Sequence, residues 1–220
     1  MDGACADAAL PSTIAGAVDH EIVIRKSRFL ARLEPVASMA DADAAIARVR
    51  KVHWDARHHC VALVVGPNGE QQRSSDDGEP AGTAGVPMLE VLRHRNVTDL
   101  VAVVTRYFGG VLLGAGGLVR AYSSSVSEAL DRAQIVRRVV MTEVFADVPH
   151  ADAGRIDNAL REWAVAHEAV LREPAYGEVV RFALVVPPKA LGDLTDALAA
   201  WTAGAIMPAF GAQRIVGLGT

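Results

Sequence analysis

The sequence predicts a two-domain α+β protein, and three observations support this fold class. The chain has 220 residues, 51% of them hydrophobic, which is enough for one large or two small domains with apolar cores. Up to about residue 130, segments with the two-residue period of strands are interspersed with segments of helical spacing. From Val140 onward, the elements follow the order β-α-β-β-α-β, which is the split plait of ferredoxin-like domains.

The first residues predict a tail, a pair of strands and a helix. Residues 1–18 are Ala-rich with small polar breaks, which predicts a mobile tail. Apolar residues then alternate between Ile22 and Leu33, with a break at Lys26, so we expect two strands or one bent strand. Ser38 is a candidate N-cap, and the apolar spacing after it indicates an amphipathic helix.

The rest of the first domain, which we place at residues 19–138, alternates strands with helices. A strand with a turn and a returning strand is predicted from HHCVALVVG, GPNGE and QQRSS. Helical spacing follows in AGVPMLEVLRHRN, where Pro87 fits only the first turn. A strand covered on at least one full face is predicted from DLVAVVTRYF, and a helix from LVRAYSSSVSEALDRAQ.

The second domain, which we place at residues 139–220, contains the six elements of the plait. Strands are predicted from VVMTEVFADVP, from the pair EAVLREP and EVVRFALVVP around a turn at residues 175–177, and from GAIMPAFGAQRIVGLG. Helices are predicted from ADAGRIDNALREWAVA and PKALGDLTDALAAWT.

Charge and cysteine usage indicate a cytoplasmic protein without broad nucleic-acid wrapping. The formal net charge is -4, and the residues after Val140 hold ten acidic and six basic side chains, so any basic surface in the first domain is local. The two cysteines match no metal spacing, which fits a reducing compartment. The start MDGACADAAL lacks a basic segment, and Arg106 and Arg120 bracket the most apolar run, so we expect neither a signal peptide nor a membrane span.

The stretch TRYFGGVLLGAGGLVRAYSSS is rich in glycine, but it does not match the standard nucleotide-binding patterns. Ala115 and Gly116 stand where a Walker loop has Lys followed by Ser or Thr, and the third glycine of the dinucleotide pattern is missing. We therefore predict no ATP or NAD cofactor. Two interpretations stay open: the glycines expose backbone amides to an anion at a helix N-terminus, or they only allow positive φ and close packing.

A second dense segment, RSSDDGEPAGTAGVP, places three carboxylates in one loop. Asp76, Asp77 and Glu79 suit a hard cation such as Mg²⁺, but they also suit turns and helix caps. Gly82 or Thr83 is expected to start the following helix, so this loop is a second anion pocket or a capped helix terminus. We assign no metal site.

Cys60 is a weak candidate for catalysis. A Cys60, His59 and Asp77 arrangement can be drawn, but neighbouring strand residues point to opposite faces, and no nucleophile elbow is present. We predict a buried strand cysteine and no catalytic residue.

Four segments resemble the IMPACT family, including its bacterial YigZ-like members, over about residues 19–130: SRFLA, RHHC, SSDDGEPAGTAGVPML and VVTRYFGGVLLGAGGLVRAYSSSV. The resemblance implies a two-layer first domain like the second domain of ribosomal protein S5. It also implies a second domain similar to a C-terminal domain of elongation factor G. Eukaryotic relatives are implicated in translational control through protein partners.

With this resemblance, we favour an exposed anion-binding surface beside the acidic loop at Asp76, Asp77, Glu79 and Thr83. The residues of that surface are Arg106, Gly109, Gly110, Gly116, Gly117 and Arg120. The leading hypothesis is a cytoplasmic binding protein that contacts RNA, the ribosome or a translation-related protein, and not an enzyme. One alternative is an enzyme for a small phosphorylated or carboxylated substrate, with Mg²⁺ as a candidate cofactor. Another is a protein–protein adaptor that uses the acidic second domain.

Overall fold

The computed structural model describes residues 10–219, and the chain divides into two compact units between Arg138 and Val139. The end of the chain from Gly217 groups with the first unit. Strand β1 (Thr13–Ile14) pairs with residues 135–136, and Ile14 is buried in the core. The predicted mobile tail is therefore wrong at these residues, because the core takes up an apolar side chain there. Residues 1–9 of that tail lie outside the described residues.

A five-stranded antiparallel sheet forms the centre of the first unit. Its strands lie in the order β2-β3-β6-β4-β5, and every neighbouring pair is antiparallel. They are β2 (Val18–Ile24), β3 (Ser27–Pro35), β4 (His58–Val65), β5 (Gln71–Ser75) and β6 (Leu100–Tyr107). Arg25 and Lys26, with φ of 47° and 67°, form the two-residue turn between β2 and β3. Of the two arrangements expected from the sequence, the structure therefore has two strands and not one bent strand.

Helices cover both faces of this sheet. Helix α1 (Met39–Val52) packs on one face of β4 and β6, and α2 (Gly85–His94) and α3 (Ala115–Leu130) pack on the other. The first unit therefore has three layers, and the two-layer arrangement implied by the resemblance is wrong. The physical reason is that β6 is apolar at every position from Leu100 to Val104, so both of its faces need cover.

The helix starts of the first unit differ in how well the sequence predicted them. Ser38 caps α1 as predicted, because its Oγ accepts a hydrogen bond from the Asp41 N–H at 3.1 Å. Helix α2 begins after Ala84 and not at Gly82 or Thr83. Helix α3 begins three residues before the predicted segment, so Gly116 and Gly117 lie in its first turn.

The second unit follows the predicted β-α-β-β-α-β order, with one additional short strand between its second and third strands. Strand β7 (Ile135–Val148) leads into it, and residues 142–148 of β7 pair with β10. The other elements are α4 (His150–Ala166), β8 (Val170–Leu171), β9 (Ala175–Tyr176), β10 (Val180–Val186), α5 (Leu191–Thr202) and β11 (Ala209–Gly219). Strands β8 and β9 both pair with β10, and β11 pairs with β7. The expected turn at residues 175–177 is thus partly the short strand β9.

Candidate functional site

The two loops singled out in the sequence meet at one end of the first unit. Arg95, directly after α2, donates to the carbonyl oxygen of Ser127 near the end of α3 at 3.5 Å. Helices α2 and α3 therefore end side by side and begin at the same end of the unit. Strand β6 brings Arg106 to this end, and the loop between β5 and α2 brings Glu79.

Arg106 lies inside the protein and not on an exposed surface. Its side chain is 8% exposed, and its Nη1 lies 2.7 Å from Oε1 of Glu79. The Tyr122 hydroxyl donates to the same oxygen at 2.8 Å, and burial raises the pKa of Tyr122, so that hydroxyl keeps its proton. The Cζ atom of Arg106 lies 5.4 Å from the ring centroid of Phe29 and 5.6 Å from that of Phe108. The predicted exposure of Arg106 is wrong, because a buried carboxylate pairs with its charge.

The glycines of the loop serve different purposes. A Cβ at Gly109 would lie 2.0 Å from the carbonyl carbon of Lys26, so only glycine fits, and its N–H donates to Oγ of Ser27 at 3.1 Å. A Cβ at Gly117 would lie 2.9 Å from the Cβ of Leu113. Gly110 and Gly116 are exposed and face open space, and Gly110 has a φ of +84°. Close packing thus explains the glycines at positions 109 and 117. At position 116 neither packing nor backbone conformation requires a glycine.

The start of α3 has no side-chain cap among the described residues. Gly114 is its N-cap residue, with a φ of 73°, and carries no side chain that can accept the first amide hydrogens. Arg120 lies one turn further along, on the same helix face as Gly116, and is exposed. Within residues 10–219, Arg120 makes no ion pair. The backbone N–H groups of Ala115 and Gly116 and the unpaired guanidinium of Arg120 therefore lie together at this helix start.

Two basic residues beside the loop were missed by the sequence analysis. Nη1 of Arg25 donates to the carbonyl oxygen of Leu112 at 3.3 Å, and the backbone of Lys26 contacts Gly109. Both side chains are exposed. The sequence signal was weak: it consisted only of the break in strand alternation at Lys26, and the contact partners are more than eighty residues away.

Asp76 caps the start of α2 with its own carboxylate. Its Oδ1 accepts from the N–H groups of Ala84 and Gly85 at 3.0 and 2.8 Å, and its Oδ2 accepts from Gly82 at 2.7 Å. Partial burial raises the pKa of Asp76, but the three backbone donors outweigh it and hold the pKa below its ordinary value. The second anion pocket is therefore already filled, and the capped-terminus interpretation is correct.

The remaining residues of the acidic loop also have separate partners. Asp77 accepts from the N–H of His59 at 2.7 Å and pairs with Arg50 at 2.9 Å. Thr83 is buried and donates to the carbonyl oxygen of Pro80 at 2.6 Å. The carboxylates of Asp76, Asp77 and Glu79 therefore do not converge on one cation. Across residues 10–219, no group of three or more His, Cys, Asp or Glu side chains is placed to hold a metal ion.

Cys60 is a buried strand residue, as predicted. Its Sγ donates to the carbonyl oxygen of Asp76 at 3.0 Å. Burial raises the pKa of the Cys60 thiol to about 12, so the nucleophilic thiolate is scarce at neutral pH. The side chain of His59 turns to the carbonyl oxygen of His53, at 3.0 Å, and does not approach the thiol.

The fold and these two loops define a class: a two-domain α+β protein with a glycine-rich and an acidic loop at one end of its first domain. The Impact N-terminal domain model matches residues 25–130, and the model of the domain of unknown function DUF1949 matches residues 147–205. The chain belongs to the IMPACT family. None of the described helices combines the length and apolarity needed to cross a membrane.

The relatives of this chain include bacterial and mammalian proteins. The IMPACT family member YvyE of Bacillus subtilis is 46% identical over 189 residues, 86% of this chain and 83% of that protein. YigZ of Escherichia coli is 51% identical over 122 residues, which cover 54% of this chain and 60% of YigZ. Bovine Protein IMPACT is 36% identical over 104 residues, 44% of this chain but 32% of the bovine protein. A crystal structure of a hypothetical protein superposes with a TM-score of 0.59 at 35% identity, covering 91% of this chain and 96% of that one.

Proposed function

We propose that this protein is a cytoplasmic, translation-associated binding protein that contacts phosphate groups of RNA or of the ribosome. The contact surface comprises residues 108–117 together with Arg25, Lys26 and Arg120, and we call it the glycine-loop surface. One observation carries the proposal. Of the two helices that begin at this end of the first unit, α2 is capped by Asp76, whereas α3 has no side-chain cap among the described residues.

The chemistry of this surface suits a phosphate group. Exposed amides at the start of a helix and the helix dipole both favour an anion. Arg120 adds a guanidinium that can form charge-assisted hydrogen bonds, and Arg25 and Lys26 add further positive charge. Phe108 is 53% exposed and offers an aromatic face to an unpaired base. Such contacts position a nucleic acid without reading its sequence.

Arg106 has a different role in this proposal from the one that its sequence position suggested. Its guanidinium is neutralised by Glu79, so it supports the loop through Phe108 and does not meet the phosphate. Because the whole chain carries a formal charge of -4, we expect local and salt-sensitive binding.

The domain likenesses implied by the family are part of the same proposal. Apart from the extra layer that α1 adds, a first unit like the second domain of ribosomal protein S5 and a second unit like a C-terminal domain of elongation factor G would place both units among folds that recur in RNA- or ribosome-contacting factors. That argument is an analogy of fold, and fold alone does not fix function. The contacts of the glycine-loop surface remain the stronger support.

The test is co-sedimentation with ribosomes from a cell lysate at low and at raised salt. We expect salt-sensitive co-sedimentation of the wild type. The Arg25→Gln/Arg120→Gln variant should bind more weakly at low salt, and the slope of its affinity against salt concentration should fall by about one per lost phosphate contact. The matched control is Arg93→Gln/Arg132→Gln, which removes two exposed charges where α2 and α3 end.

Three outcomes would contradict the proposal. Wild-type protein that stays free of ribosomes at both salt concentrations would refute ribosome binding. Equal losses in the test variant and in the control variant would show that general charge, and not this surface, drives the contact. Co-sedimentation that persists at raised salt in both variants would instead indicate a protein partner.

A further inference from the structure

Helix α1 covers only part of its face of the sheet, and the uncovered part forms a groove. The groove lies between α1 and the strands β2 and β3, and its volume is about 630 Å³. Small-molecule sites commonly span roughly 300–1,000 Å³. Thr105 lines the groove, and its neighbour Arg106 points to the opposite face of the sheet. The groove is therefore separate from the glycine-loop surface.

An unsatisfied hydroxyl lies in the floor of this groove. Leu30 of β3 and Thr105 of β6 are cross-strand partners there. Thr105 is 0% exposed, and its Oγ1 has no hydrogen-bond partner among residues 10–219. Buried hydroxyl groups in folded proteins almost always have a partner. The free lone pairs and proton of Thr105 therefore point to a ligand group at this position.

The rim of the groove carries charges that are already paired. Arg32 lies 2.5 Å from Asp19, and Arg48 lies 2.5 Å from Glu34. The third rim carboxylate, Glu21, pairs with Arg28, which holds its pKa below the ordinary value. Paired rim charges leave no net attraction for an ionic ligand, because each already has its counter-ion.

The wall on the side of α1 is apolar. Val49 and Val52 face the groove one turn apart on the helix, and Val52 is 71% exposed. Together with Leu30 in the floor, they form a surface on which a flat apolar ring can lie. An apolar wall beside a few polar groups, here including Thr105 and the half-buried His53, is the usual composition of a small-molecule site.

We infer that this groove binds an uncharged, planar small molecule that carries one hydrogen-bonding group. The ring lies against Leu30, Val49 and Val52, and the polar group bonds to Oγ1 of Thr105. This site goes beyond the proposed function and does not depend on it.

The experiment titrates the full ¹⁵N-labelled chain with indole, whose N–H can donate to Thr105, and follows amide shifts by NMR. We expect saturable shifts at Leu30, Val49 and Thr105, and about fivefold weaker binding by Thr105→Val, since one neutral hydrogen bond is lost. Thr105→Val should fold normally, because it removes a hydroxyl that has no partner. Val52→Trp should abolish the shifts by filling the groove from an exposed position.

The control variant is Thr142→Val, which removes another buried hydroxyl without a partner, outside the groove. We expect it to bind indole as the wild type does. The inference is overturned if indole causes no saturable shifts at groove residues. It is also overturned if Thr142→Val weakens binding as much as Thr105→Val, or if Val52→Trp leaves the shifts intact.

Discussion

Arg106 and Glu79 form a buried ion pair, with Nη1 of the arginine 2.7 Å from Oε1 of the glutamate. The pair joins the end of β6 to the loop before α2, and Tyr122 of α3 donates to the same oxygen. The two segments that stand out in the sequence are thus held together by a polar contact inside the protein. The proposed glycine-loop surface is built by other residues around this contact.

The first prediction concerns this ion pair. Glu79→Gln should lower the free energy of unfolding by about 3 kcal/mol, because it leaves the charge of Arg106 buried without a counter-ion. The double variant Glu79→Gln/Arg106→Met should lose less free energy of unfolding than the two single variants lose together, since no buried charge remains. Urea denaturation monitored by circular dichroism measures these values. The exposed pair Glu90 and Arg93 is the control, and Glu90→Gln should have a much smaller effect.

Additive losses in this double-mutant cycle would contradict the prediction, because they would show that the two side chains are not coupled. A loss at Glu79 no larger than the loss at Glu90 would show that Arg106 reaches solvent.

The second prediction concerns the cap of α2. Asp76→Asn should lower the free energy of unfolding by about 1–2 kcal/mol at neutral pH, because an amide oxygen replaces a carboxylate that accepts three backbone hydrogen bonds. Asp43→Asn removes an exposed carboxylate that is paired with Arg73 and serves as the control. We expect the control variant to lose less free energy of unfolding than Asp76→Asn.

The pH dependence of Asp76 follows from the sign of its shift. Its pKa is lower in the folded protein than in the unfolded chain, so its contribution is present above the ordinary carboxyl pKa and is lost as the pH falls below it. Urea titrations of the wild type and of Asp76→Asn from neutral to acid pH should therefore converge at low pH. A constant gap between the two curves would contradict this assignment.

The third prediction compares two glycines of the same loop region. Gly109→Ala should destabilise the protein by about 1–3 kcal/mol, because its Cβ would overlap the backbone at Lys26. Gly116→Ala should stabilise it by up to about 1 kcal/mol, because Gly116 lies in a helix and faces open space. Thermal unfolding of both variants measures the effects. If the two variants had equal melting temperatures, the close approach at Gly109 would be excluded.

The sequence predicted what depends on neighbouring residues and missed what depends on distant ones. The cap at Ser38 was predicted because it involves a residue three positions away. The burial of Arg106 was not, because Glu79 is 27 positions away and lies in another loop. Likewise, nothing near Arg25 in the chain indicates its contact with Leu112, which is 87 positions away. The groove at Thr105 depends on how much of the sheet α1 covers, and spacing alone does not reveal that coverage.

The last prediction concerns the reactivity of Cys60. Burial raises the pKa of this thiol to about 12 and its Sγ already donates to the carbonyl oxygen of Asp76, so the thiolate that reacts with iodoacetamide is scarce. In a Cys5→Ser background, which leaves Cys60 as the single cysteine, native protein at pH 8 should be alkylated only as fast as it unfolds.

Mass spectrometry follows this modification, and the same variant unfolded in urea provides the control, where labelling should reach the rate of an ordinary thiol. Rapid labelling of the native protein would show that the thiol is open to solvent, and it would restore Cys60 as a candidate nucleophile. Protection in the native state, together with fast labelling in urea, would show that Cys60 is a buried and unreactive thiol.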